Sequence, residues 1–197
     1  REEMDIDKVK NIITDIVNHQ YKLISITDKI SKQNPPAPYI TSTIQQDASS
    51  KFGMSPSLTM SVLQKLYEKG KITYMRTDST SISDDFLAKI KTYINSDFKG
   101  FLKVRQFKSK VSNAQEAHEC IRPVNLVQLP EDSPINEIKL YNMITQRVIA
   151  SQMKNYSEKN YTYTLESIKN KIHKFTFTLK HITDMGYKLL YNDQIND

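Results

Sequence analysis

The sequence predicts an α+β fold in which a mostly helical domain is inserted into a smaller, β-rich one. Apolar residues recur with helical spacing over most of the stretch 34–154. Apolar and polar residues instead alternate at 161–166 and again at 175–179, which is the pattern of half-buried strands. The run QNPPAP at 33–38 marks the boundary between the N-terminal segment and the helical region. Prolines cannot continue a helix or a strand there, because they lack a backbone donor and restrict the preceding residue. Both chain ends therefore contribute to the β-rich part around a helical middle.

The N-terminal segment predicts one helix and one strand. Within residues 5–18, apolar side chains recur on one helix face, at Ile6, Val9, Ile12, Ile13, Ile16 and Val17. Residues 21–27 are rich in β-branched and aromatic side chains and are expected to form a strand. Residues 1–33 thus form the N-terminal part of the β-rich domain.

Two short helices around a glycine turn are predicted next. Ser42 and Gln45 fit a capping box, and Gly53 closes that helix as a left-handed cap. Ser55 and Pro56 start the second helix. The buried faces are expected at Ile44, Ala48 and Phe52 in the first helix and at Leu58, Val62 and Leu66 in the second. With the extended segment KITYM behind them, the helices are typical of a helix-turn-helix, which occurs both in DNA-binding modules and as a purely structural unit.

Two further helices complete the helical middle. Ser83 is expected to cap the first of them, with a buried stripe at Leu87, Ile90 and Ile94. Ser133 and Pro134 start a longer helix that ends near Met153. After the two alternating segments, a third strand is expected to follow Gly186.

Basic side chains collect in the segment GFLKVRQFKSK, residues 100–110. They either remain solvated or contact phosphates. A second capping box, at Ser112 and Gln115, predicts a short helix behind the segment. The candidates for contacts with DNA are Lys103, Arg105, Lys108, Lys110 and Arg122.

The composition indicates a partner with negative charge. The formal net charge is +6, from 28 basic and 22 acidic residues, which suits nucleic acid but also an ordinary solvated surface. A single cysteine, Cys120, excludes an internal disulfide and is best interpreted as a small buried hydrophobe. No stretch approaches the ~20 apolar residues of a membrane span, so we expect an intracellular protein without a membrane partner. Because the chain begins at Arg1 rather than at methionine, we expect a piece of a longer polypeptide.

The segment ITYMRTDS, residues 72–79, holds the strongest candidate for chemistry. If the segment is extended, Tyr74 and Arg76 project from the same face, because side chains alternate along a strand. A phenol is a poor nucleophile at neutral pH, but a nearby guanidinium favours the phenolate and also offers a fork for two phosphate oxygens. The pair is thus suited to attack on a phosphodiester. The alternative, a tyrosine that only packs, stays open because the sequence has 11 tyrosines.

Three segments, PYITSTIQQDAS, LYEKGKITYMRTDST and NAQEAHECIRP, occur in this order within about residues 37–123. Together they closely resemble the type IA DNA topoisomerases, the group of bacterial topoisomerase I and reverse gyrase. In that family, the tyrosine of ITYMRTDS cuts one DNA strand and becomes linked to its 5′ phosphate. The resemblance implies that Tyr74 is the nucleophile and that Arg76 is the cation at the scissile phosphate. It also implies that His118 is a hydrogen-bonding or proton-transfer partner near the cleavage site.

The resemblance further implies an architecture and partners. Residues 34–154 would form a helical, winged-helix-like (CAP-like) nucleophile domain, inserted between the two parts of an arch at 1–33 and 155–197. The implied partners are single-stranded and negatively supercoiled DNA, which the intact enzyme relaxes without ATP. The family also needs Mg²⁺, held by an acidic domain of the same polypeptide that nothing in this chain matches.

The expectations for this chain alone follow from that gap. We expect no metal site within it, since His118 and Cys120 by themselves lack the further ligands of a zinc site. We also expect the isolated piece to be inactive. The alternative from another class of protein is a non-catalytic helix-turn-helix module that binds nucleic acid.

Overall fold

The computed structural model describes residues 6–107, 118–169 and 171–194. Within these ranges the elements are α1 Ile6–Val17, β1 Tyr21–Gln33, α2 Thr41–Phe52, α3 Pro56–Glu68, α4 Asp84–Asp97, α5 Ile135–Ser151, β2 Tyr156–Ser167, β3 Lys174–Asp184 and a 3-10 helix Gly186–Gln194. They form two compact units, divided after Lys32, Tyr156 and Asp184. No helix in the described ranges is long and apolar enough to cross a membrane. The predicted α+β class is confirmed.

The first unit consists of α1 and a three-stranded sheet with the strand order β1–β2–β3. β2 and β3 are antiparallel, and their register places Tyr161 opposite Leu179 and Tyr163 opposite Phe177. The rings of Tyr163 and Phe177 stack with centroids 5.0 Å apart. The two alternating segments are therefore strands, as predicted, and aromatic pairs across the strands stabilise the hairpin.

Helix α1 is present as predicted, but its apolar face is not buried. None of its residues is buried, and Ile6 and Val17 are 68% and 75% exposed. The helix is instead joined to the hairpin of the first unit by polar contacts near its C-terminal end, through Asp15 and the neighbouring His19.

The second unit contains α2 to α5 and the 3-10 helix. α3 packs against α2 and α5, and the 3-10 helix packs against α5. One cluster of buried side chains joins α2, α3 and α5, and it includes Ile72 and Met75 from the loop after α3. A second cluster joins α4 to the other half of α5 and includes Cys120, which is fully buried as predicted. Burial raises the pKa of the Cys120 thiol to about 12.

Local signals at the helix ends are confirmed at Gly53 and Ser55, whereas Ser83 precedes α4 without a side-chain cap bond and the N-cap of α5 is Pro134 rather than Ser133. Gly53 has a φ of 66°, the left-handed conformation that glycine adopts without strain. The Ser55 hydroxyl accepts a hydrogen bond from the Leu58 amide at 3.2 Å and caps α3. The predicted capping box at Ser42 and Gln45 is wrong, because the N-cap of α2 is Ile40, two residues earlier, and the Thr43 hydroxyl accepts from the Ile40 amide at 3.1 Å.

Three further expectations are corrected. Leu58 is 42% exposed, so the buried face of α3 is formed by Val62, Leu66 and their neighbours. The segment KITYM makes a single β-bridge, between Ile72 and Pro123, and is not a strand. The residues after Gly186 form a 3-10 helix instead of a third strand of the C-terminal part, because Leu190 packs into the second cluster on α5. The capping box at 112–115 lies outside the described residues.

Candidate active site

The loop after α3, which carries Tyr74, is fixed on one side by the segment 120–123. The Thr73 hydroxyl donates to the Cys120 carbonyl at 2.7 Å and accepts from the Arg122 amide at 3.0 Å. The Thr73 amide donates back to the Arg122 carbonyl at 2.9 Å. These bonds join positions that are 49 residues apart in sequence, so they bring the tyrosine segment beside the segment that begins with His118.

The same loop is fixed on its other side by the N-terminus of α2. The Thr41 hydroxyl donates to the Met75 carbonyl at 2.8 Å and accepts from the Thr77 amide at 3.0 Å. The Thr41 amide donates to the Thr77 carbonyl, also at 3.0 Å. Residues 75–77 therefore lie against the first turn of α2, where free amides and the helix dipole favour an anion.

Burial alternates along the loop although it is not a strand. Met75 is 1% exposed and belongs to the cluster between α2, α3 and α5, whereas Tyr74 is 44% exposed and Arg76 is exposed. The buried Met75 side chain anchors the loop, and its two neighbours point away from the core. The Tyr74 ring contacts the Tyr67 ring of α3 edge to face, with centroids 5.3 Å apart. Its exposure leaves the Tyr74 side chain accessible from solvent.

A surface cavity of about 480 Å³ lies beside the loop. Arg76, His118 and Asp78 line it together with the start of α2, and the remaining lining residues are Ile40, Thr41, Ser42 and Thr77. The structure thus brings Arg76 and His118, which are far apart in sequence, to one cavity. Tyr74 is not among the lining residues and lies at the neighbouring exposed position of the loop.

Arg76 differs from the other arginines of the described ranges in how its guanidinium is used. Arg105 donates to Asn155 Oδ1 at 2.6 Å and Arg147 Nε donates to the Ala37 carbonyl at 2.6 Å. Arg122 is paired with Glu119. Within those ranges, Arg76 has no hydrogen-bond or ion-pair partner of its own and faces the cavity. Its donors therefore remain available for a bound anion.

Arg122 is held inside the protein. Its guanidinium pairs with Glu119, lies 4.2 Å from the centre of the Phe86 ring, and leaves only 12% of the side chain exposed. Glu119 also accepts from the Ser83 amide at 2.8 Å, at the start of α4. Burial acts to raise the pKa of the Glu119 carboxyl, but the bonds from Ser83 and Arg122 outweigh it and lower the pKa. A direct phosphate contact from Arg122 would require these bonds to break.

The basic segment is only partly described. Arg105 is bonded to the carbonyls of Lys103, Ser151 and Met153 in addition to Asn155, so its charge serves to join this segment to the end of α5. Lys103 is exposed and makes one long contact, 3.5 Å, to Asn155 Oδ1. Lys108 and Lys110 lie outside the described residues.

Sequence reasoning missed three residues that position the site. Thr41 and Thr73 fix the loop through their hydroxyls, and Glu119 connects His118's segment to α4. All three lie inside the segments that carry the resemblance, which is the only signal that marked them in advance. A hydroxyl that bonds to a carbonyl far away in the sequence produces no periodic pattern of residues. The spacing of residues in the sequence therefore does not reveal such bonds.

The chain matches one family model, described as DNA topoisomerase, over residues 2–197. Among curated proteins, it is 38% identical over 200 residues to "DNA topoisomerase 1 type prokaryotic" of Acanthamoeba polyphaga mimivirus, which covers 96% of this chain and 23% of that protein. It is 37% identical over 208 residues to DNA topoisomerase 1 of Helicobacter pylori, covering 98% and 28% of the two chains. The chain therefore spans about a quarter of the length of these relatives.

A solved structure gives the same match in three dimensions. Full-length topoisomerase I from Thermotoga maritima superposes with a TM-score of 0.78 at 31% sequence identity. The match covers 97% of this chain and 33% of that one. The resemblance found in the three sequence segments is thereby confirmed for almost the whole chain.

Proposed function

The chain belongs to the DNA topoisomerase family, and we propose that it supplies the nucleophile of a type IA enzyme that relaxes negatively supercoiled DNA without ATP. Tyr74 is the proposed nucleophile, Arg76 the proposed phosphate ligand, and His118 the proposed hydrogen-bonding or proton-transfer partner. Because the chain spans about a quarter of its curated relatives, this activity is proposed for a longer protein that contains it.

One observation carries the proposal. Arg76, His118 and the N-terminus of α2 line one cavity, and the exposed Tyr74 lies two residues before Arg76. Among the described residues, Arg76 makes no competing ion pair. A guanidinium, an imidazole and a helix N-terminus are all groups that bind phosphate, and a packing tyrosine would not need them beside it.

In the proposed step, Tyr74 Oη attacks the phosphorus of one DNA strand and the bond from phosphorus to O3′ breaks. The phenol gives up its proton and the leaving O3′ takes one up, so that a 5′ phosphotyrosine and a free 3′ hydroxyl result. Another strand passes through the break. The 3′ hydroxyl then attacks the same phosphorus, which restores the DNA strand and the phenol. Each exchange replaces one phosphate ester with another, and ATP is therefore not needed.

The neighbouring groups have separate tasks in this step. The Arg76 guanidinium binds two non-bridging oxygens of the phosphate and stabilises the charge that develops on them. His118, on the same cavity, can hold or move a proton at the attacking or leaving oxygen. The start of α2 adds the positive end of a helix dipole. Thr41 and Thr73 keep the loop in register with these groups.

The two compact units suggest how the tasks are divided. We assign the unit with α2 to α5 to the nucleophile domain, in which α2 and α3 are the helix-turn-helix of a winged-helix-like insertion, and the unit with the sheet to the arch. Single-stranded DNA would lie along the loop that carries Tyr74 and Arg76. Lys103, which is exposed, would be a further phosphate contact. We place the protein inside the cell with the DNA, in the cytoplasm or nucleoid if it is bacterial.

The cavity does not offer the set of oxygen ligands that Mg²⁺ prefers. Mg²⁺ is bound mainly through carboxylates, and Asp78 is the only carboxylate that lines the cavity among the described residues. One carboxylate leaves most of the octahedral shell of this ion to water or substrate phosphate, and the Arg76 cation on the same cavity disfavours a second cation. If the family's Mg²⁺ takes part, we therefore propose that residues outside this chain bind it.

The experiment compares two tyrosines in a longer protein that contains this chain. Tyr74→Phe removes only the attacking oxygen, so we expect neither a covalent protein–DNA adduct nor relaxation of supercoiled plasmid. Tyr67→Phe is the matched control, since Tyr67 is 41% exposed and its ring contacts that of Tyr74. This variant should keep both activities.

The adduct also separates an enzyme from a module that only binds nucleic acid. A pure binding module forms no adduct in any variant while it retains salt-dependent DNA binding. Adduct formation by Tyr74→Phe at the level of Tyr67→Phe would show that another residue is the nucleophile.

A further inference from the structure

Two histidines and an aspartate form a cluster in the first unit. Asp15 lies near the C-terminal end of α1, His19 follows that helix, and His173 lies just before β3. One ligand atom from each lies within 4.8 Å of the other two. Within residues 6–107, 118–169 and 171–194, it is the one group of three such side chains that could share a metal ion.

His19 is the central member of the cluster. Its side chain is 1% exposed, and its Nδ1 lies 3.0 Å from the Ser167 hydroxyl at the end of β2. Its Nε2 lies 3.1 Å from Asp15 Oδ1 but makes no well-formed hydrogen bond with any described group. A buried ring nitrogen that has this carboxylate contact but no hydrogen bond is poorly satisfied.

His173 approaches the same carboxylate from the hairpin. Its Nε2 lies 2.8 Å from Asp15 Oδ2, and its ring centroid is 5.4 Å from that of His19. The Ser167 amide donates to the His173 carbonyl at 2.9 Å, so one turn of the hairpin positions both the ligand and the hydroxyl that holds His19. Asp15 remains 49% exposed, which leaves a path to solvent.

We propose that Asp15, His19 and His173 form a binding site for a divalent transition-metal ion of the zinc type. Two imidazole nitrogens and one carboxylate oxygen are a common ligand set for zinc, with water in the remaining position. The hydrogen bond between His19 Nδ1 and the Ser167 hydroxyl is the kind of contact that fixes a metal-ligating imidazole, and Nδ1 would be its donor when Nε2 binds the metal. The bound ion would give His19 Nε2 the well-formed contact that Asp15 does not provide.

The proposed ion would connect α1 to the turn between β2 and β3. Asp15 and His173 are 158 residues apart in sequence, so the ion would close a very long loop. α1 has no buried residue of its own, and a metal tie would compensate for that. The long separation also explains why no compact ligand motif is visible in the sequence, and it departs from our expectation that this chain has no metal site.

The test is a zinc titration of the full 197-residue chain after a chelator has removed bound metal. Calorimetry measures the binding, and thermal unfolding measures the melting temperature at each Zn²⁺ concentration. We expect one Zn²⁺ per chain, a melting temperature that rises with Zn²⁺, and no comparable effect of Mg²⁺, which prefers oxygen ligands. Co²⁺ should give the visible absorption of a site with nitrogen and oxygen ligands.

Variants identify the ligands. His173→Asn should weaken Zn²⁺ binding by at least about tenfold, and Ser167→Ala should weaken it by about 10–100-fold without removing a ligand. His181→Asn is the matched control, because His181 is an exposed histidine of β3 outside the cluster, and it should bind as the unchanged chain does. Circular dichroism checks that each variant is folded. If His173→Asn does not fold, Asp15→Asn replaces it as the variant that lacks one ligand. Absence of stoichiometric binding, or equal affinities in His173→Asn and His181→Asn, would overturn the proposal.

Discussion

Arg76 is the residue at which charge and geometry are most easily separated. Its guanidinium faces the cavity, and in the described ranges it has no internal partner. Lysine keeps the charge but cannot bind two phosphate oxygens in a fork. In the longer protein proposed to cleave DNA, we therefore expect Arg76→Lys to slow cleavage by ~10-fold or more while the protein remains folded. Single-turnover cleavage of a labelled single strand measures this effect, and a rate equal to that of the unchanged protein would contradict bidentate binding.

Glu119 makes the stability of the site depend on pH. Its carboxyl pKa is lowered in the folded protein, where the bonds from Ser83 and Arg122 outweigh the opposing effect of burial. A carboxyl with a lowered folded pKa stabilises the fold at neutral pH, and this contribution is lost as the pH falls through the folded value. We expect Glu119→Gln to reduce the free energy of unfolding by about 1 kcal/mol at neutral pH. The difference should shrink at pH values below the unfolded value of 4.5.

Urea unfolding at several pH values measures this dependence. Glu131→Gln is the control, because Glu131 is an exposed carboxylate in the loop before α5. A deficit of Glu119→Gln that stays constant down to acidic pH would show that the charge of the carboxylate is not the cause.

At the scale of the elements, the loop after α3 depends on hydroxyls that join it to its neighbours. Thr73→Val keeps the shape of the side chain but removes the donor to the Cys120 carbonyl and the acceptor for the Arg122 amide. We expect a loss of about 1–2 kcal/mol in the free energy of unfolding. We also expect slower cleavage, because Tyr74 and His118 would no longer be held in register.

Thr92→Val is the matched control for that prediction, since the exposed Thr92 hydroxyl bonds only within α4, to the Ala88 carbonyl at 3.1 Å. It should change stability by a smaller amount and leave cleavage unchanged. If Thr92→Val and Thr73→Val lose the same free energy of unfolding and cleave at the same rate, the bonds of Thr73 to the segment 120–122 have no special role.

The difference between local and long-range bonds also explains which elements the sequence predicts. Gly53 and Ser55 mark helix ends through contacts within a few residues, and both were identified correctly. The start of α2 was misplaced because Thr41, Ser42 and Thr43 are all capable caps. Thr41 is engaged instead by Thr77, 36 residues away.

One further error has a similar origin. The chain after Gly186 was expected to form a strand, but Leu190 packs into the cluster on α5. Gly186 itself is required by a contact that the sequence does not show, since a Cβ there would lie 2.1 Å from the Asn155 carbonyl oxygen. Tyr74 and Arg76 were proposed from the sequence because their segment resembles a known family, whereas Thr73 was not, because its bonds go to backbone groups of a distant segment.

At the scale of the whole molecule, the described residues supply only part of the groups that the proposed reaction needs. Arg76, His118 and the start of α2 are the groups proposed to bind a phosphate, and only Asp78 adds a carboxylate to the cavity among the described residues. The chain also spans about a quarter of the length of its curated relatives. Strand passage needs a gate that opens and closes, and groups that support the leaving 3′ oxygen contribute ~10²-fold or more to such a reaction.

We therefore expect the 197-residue chain, by itself, to fold but not to relax supercoiled DNA, with or without Mg²⁺. Folding is expected because the second unit has two buried clusters that share α5 and helix ends with consistent caps. Cooperative thermal unfolding followed by circular dichroism tests that part. Plasmid relaxation by the purified chain tests the other, with Tyr74→Phe as the control for contaminating enzyme. Relaxation that depends on Tyr74 would show that the two described units contain every group the reaction requires.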